Sequence, residues 1–389
     1  MTEWIECTLD KLGEIVGGAT PSTKCEDYYG GSIPWITPKD LSSFKGRYIT
    51  SGERNITEKG LASCSAQMMP KDAVLFTSRA PIGYVAIASQ SVCTNQGFKS
   101  IVVNDKADPL FVYYLLKYNK DAIEAMGSGT TFKEVSGKTM RAVKVRIPLD
   151  VSYQKRIAAV LDSLDTKIEN NERINDNLQQ QAFALFDKLI TTPHPESVAL
   201  SEIAELNPKR SLDKNRMARC IDMAQLSTSG SFPNGWEIKP YNGGMRFANG
   251  DTLFARITPC LENGKTAYID FLDADEVAFG STEYIVMCSQ GQYPSEFFYC
   301  LARYPSFVDY AVKNMNGSSG RQRVSAETIG KYILPRITDD ELAEFRDVVP
   351  ALFSAIRLNS FENISLAELR DVLLPKLMSD EIDVSDIQI

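Results

Sequence analysis

The residues best suited to chemistry in this chain are cations and small hydroxyls gathered in loops. One group comprises Ser78, Arg79, Gly127, Ser128, Thr130, Thr131 and Lys133, with Lys39 and Arg47 near the run IPWIT. A second comprises Arg246, Arg256, Ser318, Ser319, Arg321, Gln322 and Arg323, and includes the hexapeptide SSGRQR. Hydroxyls and backbone N–H groups in such loops suit phosphate oxygens, while Arg and Gln side chains match guanine and adenine edges. That is the chemistry of binding. The groups needed for catalysis are missing. The single histidine, His194, lies between Pro193 and Pro195 in what reads as a linker, so no Ser-His-Asp or Cys-His mechanism can be assembled elsewhere. An adenine amino-methyltransferase needs an (N/D)PP(Y/F) motif and a Gly-rich cofactor loop. Asn207–Pro208–Lys209–Arg210 is the nearest fragment, and it lacks the second proline and the aromatic. No GxxxxGK(S/T) phosphate loop is present. Asp222 with Glu237 and Lys239 has the formal spacing of a metal-dependent nuclease, but its setting, SFPNGWEIKPYNGG, reads as an exposed, turn-rich loop. Eight scattered cysteines without a CxxC pair are expected to be reduced thiols rather than metal ligands.

A chain of 389 residues, 43% hydrophobic and 24% charged, has material for two or three domains with sizeable cores. Its start, MTEWIECTLDKLGEI, has neither the basic n-region nor the apolar h-region of a signal peptide, and no apolar run is long enough to span a bilayer. A cytoplasmic protein is expected. The net charge of −8 is unevenly spread. Residues 1–150 carry 18 basic against 16 acidic groups, 151–190 carry 5 against 6, 191–338 carry 15 against 16, and 339–389 carry 4 against 12. Both large blocks are therefore near neutral and free to carry local basic faces.

The elements that must position these loops repeat. Short strand-like runs (33–37, 73–78, 84–88, 98–103) fill the first block. They are followed by a helical run at 109–126, a polar loop at 127–137 and a closing strand at 143–150. Residues 251–259 echo 72–81, 284–288 echo 99–103, 294–315 echo 109–126, and 316–337 echo 127–148. Each block precedes a long helical pattern. In Tyr153–Ile190, Ile157, Leu161, Leu164, Ile168, Asn171, Asn175, Leu178, Ala182, Leu185 and Leu189 alternate at steps of four and three, a seam for lengthwise packing on another helix. At about 1.5 Å per residue it would extend roughly 57 Å. An offset of 188 yields Phe345, Val349, Leu352, Ile356, Asn359, Asn363, Leu366, Arg370, Leu373 and Leu377. Only Arg370 breaks the character of the pattern. Asn171 and Asn175 map onto Asn359 and Asn363, polar register marks in both seams. Thr338 and Glu341 form a capping box for the second helix, whereas Pro350 should kink it or end a first segment.

The expected fold class is α+β: two similar α/β domains with two long antiparallel coiled-coil helices, related by a pseudo-twofold internal repeat. The predicted divisions are a first domain at 1–150, a helix at 151–192, a second domain at 193–337, a helix at 338–380 and an acidic C-terminal tail at 381–389. Duplex DNA has a matching twofold in its backbone, so paired modules could read two half-sites that differ as the two blocks differ.

The sequence resembles the specificity (S) subunits of type I restriction-modification systems over nearly its whole length. The similarity rests on WIECTLDKLGEIVGGATPS (4–22), FTSRAPIGYVAIA (76–88), the GSGTTFKEVS loop, QKRIAAVLDSLDTKIENN (154–171) and LLPKLMSDEID (373–383). It implies that the blocks are target recognition domains and the helices spacers that bind two DNA methyltransferase subunits, possibly with restriction subunits. The outward helix face carrying Glu169, Glu172, Arg173, Asp176, Gln179 and Gln180 would then be a docking surface, where the charge pattern by itself reads only as a solvated face. It implies no catalytic residue in this chain; S-adenosylmethionine, ATP and Mg would belong to the partner subunits of a prokaryotic complex. The second block departs from the pattern: VALSEIAELNPKRSL (198–212) lacks the tryptophan and GG turn of the first. The alternatives are an autonomous metal-dependent nuclease and a protein-binding scaffold.

Overall fold

Alternating apolar runs become strands, and the sequence repeat becomes a repeat of sheet topology. In the computed structural model, residues 3–42, 44–79, 81–129, 133–318 and 320–387 are described. Two compact units result, Met1–Glu169 with Ser365–Ile389 and Asn170–Ile364, so the division falls within both long helices.

In the first unit a five-stranded sheet runs in the order Gly13–Gly17, Lys99–Val103, Val74–Ser78, Ile82–Ala88 and Tyr48–Ile49. In the second unit Ala204–Leu206, Tyr284–Ser289, Thr252–Ala255 and Thr266–Tyr268 repeat its first four places. A smaller sheet also recurs. Tyr29–Ile36 lies between antiparallel Arg54–Ile56 and parallel Cys93–Thr94, as Met217–Ile221 lies between Glu237–Pro240 and Ala278–Gly280. The block ends are tied by an antiparallel pair each, Trp4–Thr8 with Lys144–Pro148 and Ser197–Ala199 with Ile333–Pro335. The helical run of the first block splits into Pro109–Tyr118 and Lys120–Ala125, matched by Ser295–Arg303 and Pro305–Lys313. Even the caps repeat: Ser136 Oγ accepts from the Thr139 N–H and Ser325 Oγ from the Thr328 N–H, both at 3.0 Å.

The two long helices are Val151–Thr191 and Asp339–Met378. Within the second unit Asn171 Nδ2 donates to Asn363 Oδ1 at 2.9 Å and Asn359 Nδ2 to Asn175 Oδ1 at 2.8 Å, while Lys188 meets Glu344 at 2.7 Å. Partner numbers fall as helix numbers rise, so the helices pair antiparallel and the four asparagines set the register. Ala182, Phe186, Phe345, Val349 and Phe353 join the core of that unit. In the first unit Ile157, Leu161, Leu377 and Met378 do the same.

A tyrosine pegs each block to the helix pair. Tyr114 donates to Asp165 at 2.7 Å, and Arg370 donates to the other oxygen of that buried carboxylate, also at 2.7 Å. The equivalent Tyr299 donates to Gln179 at 2.9 Å and sets its ring edge-on to Phe353, the residue that stands where the first unit has Asp165. Arg370 thus breaks the apolar seam because it neutralises a carboxylate that would otherwise be buried alone.

Two expectations need correction and one is refined. Of the two outcomes expected at Pro350, a kink or an end to a first segment, the second does not occur: the helix is continuous from 339 to 378. The missing N–H forfeits one bond to the Arg346 carbonyl, and buried Phe345, Val349, Phe353 and Ile356 hold the turns on either side. His194 lies in the link between the first long helix and the second block, as the sequence predicts, but its ring is enclosed. Its side chain is 1% exposed, with Nε2 2.8 Å from the Leu189 carbonyl and Nδ1 3.4 Å from Glu341, which also closes the expected capping box with Thr338. The segment SFPNGWEIKPYNGG contains the edge strand Glu237–Pro240, and Trp236 stacks on Phe271 at 4.9 Å. The acidic C-terminal segment folds back: Val384 is fully buried and Tyr153 Oη donates to Asp383 at 3.1 Å. Among the described residues no helix is long and apolar enough to cross a membrane.

Candidate nucleic-acid interface

Both polar loops close as short hairpins against the end of the equivalent sheet strand. In the first unit Ser128 and Glu134 exchange main-chain hydrogen bonds at 2.9 and 3.0 Å, and the Val135 N–H donates to the Ser78 carbonyl at 2.9 Å. In the second, Asn316 and Arg323 exchange bonds at 2.9 Å, and the Val324 N–H donates to the Arg256 carbonyl at 3.0 Å. Ser78, Arg79, Ser128 and Lys133 therefore come together in one unit, and Arg256, Ser318, Arg321, Gln322 and Arg323 in the other. Glycines make the second turn possible: Gly317 and Gly320 have φ of 127° and 78°, values that side chains resist. Thr130, Thr131 and Ser319 lie outside the described residues.

The hairpins are anchored by ion pairs of opposite polarity. Glu134 sits 3.7 Å from Arg79 and 3.6 Å from Lys99. The equivalent hairpin position holds Arg323, which grips Glu283 through Nε at 2.9 Å and Nη2 at 2.7 Å. Its Nη1 also donates to the Arg321 carbonyl at 3.0 Å. Hydrogen bonding from Arg323 holds the Glu283 carboxyl below its ordinary range. Lys99, Glu134 and Glu283 were not singled out in the sequence. The available signal was the repeat itself, which aligns an acid with a base at one hairpin position.

The remaining cations differ in availability. Lys133 and Arg321 are exposed and make no ion pair with a described residue. Arg256 is half-buried, and its Nε has no hydrogen-bond partner among the described residues. Arg246 is half-buried on the strand Met245–Phe247 of the smaller sheet. Lys39 is exposed and pairs directly with Glu53 at 2.7 Å.

Other candidates are turned inward. Arg47 is 5% exposed and its guanidinium is committed to the first long helix, to Asp162, Thr166 at 2.8 Å and Glu169 at 3.0 Å. Burial works against its charge, but Glu169 and Asp162 more than offset this and hold its pKa above the ordinary arginine value. It is a clamp between block and helix rather than a surface cation. Ser78 is fully buried, its hydroxyl donating to Gly97 at 3.2 Å. Arg323 is spent on Glu283. Glu169 and Gln179, expected on the outer helix face, bind Arg47 and Tyr299 instead.

The nuclease-like trio has its cation lodged between the acids: Lys239 Nζ is 3.0 Å from both Asp222 and Glu237. Among the described residues no group of three or more His, Cys, Asp or Glu could hold a metal ion.

The family model for the type I restriction modification DNA specificity domain matches residues 1–180. The type I restriction enzyme MjaIX specificity subunit of Methanocaldococcus jannaschii is 31% identical over 422 residues, covering 99% of this chain and 95% of that protein. The chain belongs to the type I restriction-modification specificity subunits. The specificity subunit of type I restriction enzyme EcoR124I/EcoR124II of Escherichia coli is 28% identical over 204 residues, 49% of each chain. The crystal structure of a type I system S subunit from M. genitalium shares the fold, with a TM-score of 0.62 at 17% identity, covering 97% of this chain and 96% of that one. In this specificity subunit the family model covers the first block and much of the first long helix, the part that carries the tryptophan and GG turn.

Proposed function

We propose that this specificity subunit is the non-catalytic DNA-recognition component of a type I restriction-modification complex. Each block reads one half of a bipartite, asymmetric duplex site through its hairpin, and the paired helices set the gap. The observation that carries this reading is the recurrence of one hairpin on the same strand end in both units, with Lys133 exposed on one and Arg321 on the other. Unequal loop sequences on equal frames suit two unequal half-sites. On the helices, Ile174, Leu358, Phe361, Leu369 and Val372 remain exposed, which supports docking of two methyltransferase subunits there. Those subunits, and any restriction subunits, supply the S-adenosylmethionine, ATP and Mg chemistry in a prokaryotic cytoplasm. The test is single-molecule methylome sequencing of a host with and without the gene. Loss of one bipartite methyladenine motif is expected, and an unchanged methylome overturns the reading.

A further inference from the structure

We propose that Glu283 is a positioning residue for DNA readout by the second block, and that Arg323 anchors the hairpin rather than reading DNA. This deepens the reading above and rests on it.

The argument starts from the repeat. Glu134 and Arg323 occupy the same hairpin position: each exchanges main-chain bonds across its loop, each bridges to the chain after the central strand (Arg79 and Ile257), and each precedes a valine that donates to that strand. The fold therefore accepts either sign of charge here, provided the strands supply the complement. In the first unit they supply Arg79 and Lys99 against Glu134. In the second they supply Glu283 against Arg323. A residue whose role is to present positive charge to a phosphate could not be replaced by glutamate in the sister module. One whose role is to tie down a loop could.

The geometry of the second unit gives the tie a purpose. The Glu283 carboxylate takes a fork from Arg323 Nε and Nη2, which leaves Nη1 to grip the Arg321 carbonyl at 3.0 Å. A fork on a carboxylate has one preferred geometry, so it fixes the guanidinium plane and with it the backbone of Arg321. The Arg321 side chain, exposed and unpaired among the described residues, is then presented from a fixed base. Arg256 lies close enough to lower the Glu283 pKa alongside Arg323. The same carboxylate thus lies near two arginines, Arg323 and Arg256, and ties Arg323 firmly, while the Arg321 side chain is left to the ligand. The loop between the bridging residues is one residue longer here (317–322) than in the first unit (129–133) and contains two glycines at positive φ, so it has more need of the tie.

The test uses the full chain assembled with its methyltransferase subunits and a random duplex library. Wild type should select a bipartite motif. Glu283→Arg and Arg323→Glu singly should each weaken selection at one half-site by about tenfold or more while leaving the other half-site intact, which also reports that the protein has folded. The double variant Glu283→Arg/Arg323→Glu regains the ion pair but not the donor to the Arg321 carbonyl, so it should recover the wild-type motif with an affinity between those of the single variants and wild type, whereas Arg321→Ala should not be rescued by the swap. A double variant as weak as Arg323→Glu, or one that selects a different base, would overturn the proposal by making Arg323 a direct contact. Hydrogen exchange at 316–324 gives a second reading that needs no target: protection should fall in both single variants and return in the double. If wild type selects no motif while that exchange pattern holds, the DNA reading fails and the anchor stands. If protection does not return, the anchor fails.

Discussion

Arg47 and Lys133 are both cations in loops of the first block, and only one of them faces solvent. Arg47 is enclosed by Asp162, Thr166 and Glu169, so Arg47→Ala leaves two carboxylates facing one another beside a void. A loss of roughly 3 kcal/mol in stability is expected, with DNA affinity per folded molecule unchanged. Urea denaturation paired with a mobility shift checks this; an affinity loss in fully folded protein would return Arg47 to the interface. Lys133 is exposed and without an ion pair to a described residue, as a phosphate contact should be. For Lys133→Ala the affinity should fall at every sequence tested and the salt dependence of log K should flatten by about one unit, read from titrations at several salt concentrations.

At the scale of elements, the helix pair carries a deliberate weakness. The Asn175–Asn359 bond puts amides where the heptad pattern elsewhere supplies leucine or isoleucine. Asn175→Leu/Asn359→Leu should raise the melting temperature by about 2–4 °C while loosening the register, seen as a broader spread of hydrogen exchange over 170–191. A lower melting temperature would mean that the amide pair contributes net stability. The joint between the second helix and its block is pH-sensitive. Arg357 donates to the Asp270 carbonyl at 2.7 Å, and burial lifts the Asp270 side chain to about 7, against partial opposition from Arg357. A carboxyl that binds its proton more tightly when folded favours the fold at low pH. Stability drains away as pH rises from about 4 towards 7 and stays lost above it. Asp270→Asn mimics the neutral form and keeps the main-chain acceptor. It should therefore be the more stable protein at pH 8, by on the order of 3 kcal/mol, and equal to wild type near pH 4, as measured by denaturation across that range.

For the whole molecule, the proposed division of labour makes a direct prediction. The purified chain with Mg²⁺ and plasmid should leave the DNA intact, and the same chain with methyltransferase should shift a duplex carrying the bipartite motif. Cleavage by the chain alone would revive an autonomous nuclease despite Lys239 filling the space between Asp222 and Glu237.

The repeat, the long seams, the asparagine register and several of the strand runs were legible in the sequence, because hydrophobic periodicity and repeated spacing are local signals that survive without coordinates, whereas the order of the strands in each sheet was not. Thr338 and Glu341 were legible for the same reason. What tertiary structure alone decided was which charges are spent. Arg47 meets Asp162 and Glu169 across 115 and 122 positions, Arg370 meets Asp165 across 205, and Arg323 meets Glu283 across 40. No window of sequence contains both members of such a pair, so Arg47 and Arg321 look alike until the chain folds. The helix through Pro350 follows the same logic: local propensity argues for a break, and the burial of Phe345, Val349 and Phe353 outweighs the one hydrogen bond lost. Periodicity set the frame of this specificity subunit; long-range charge pairing decided which of its loop cations are tied down and which stay exposed.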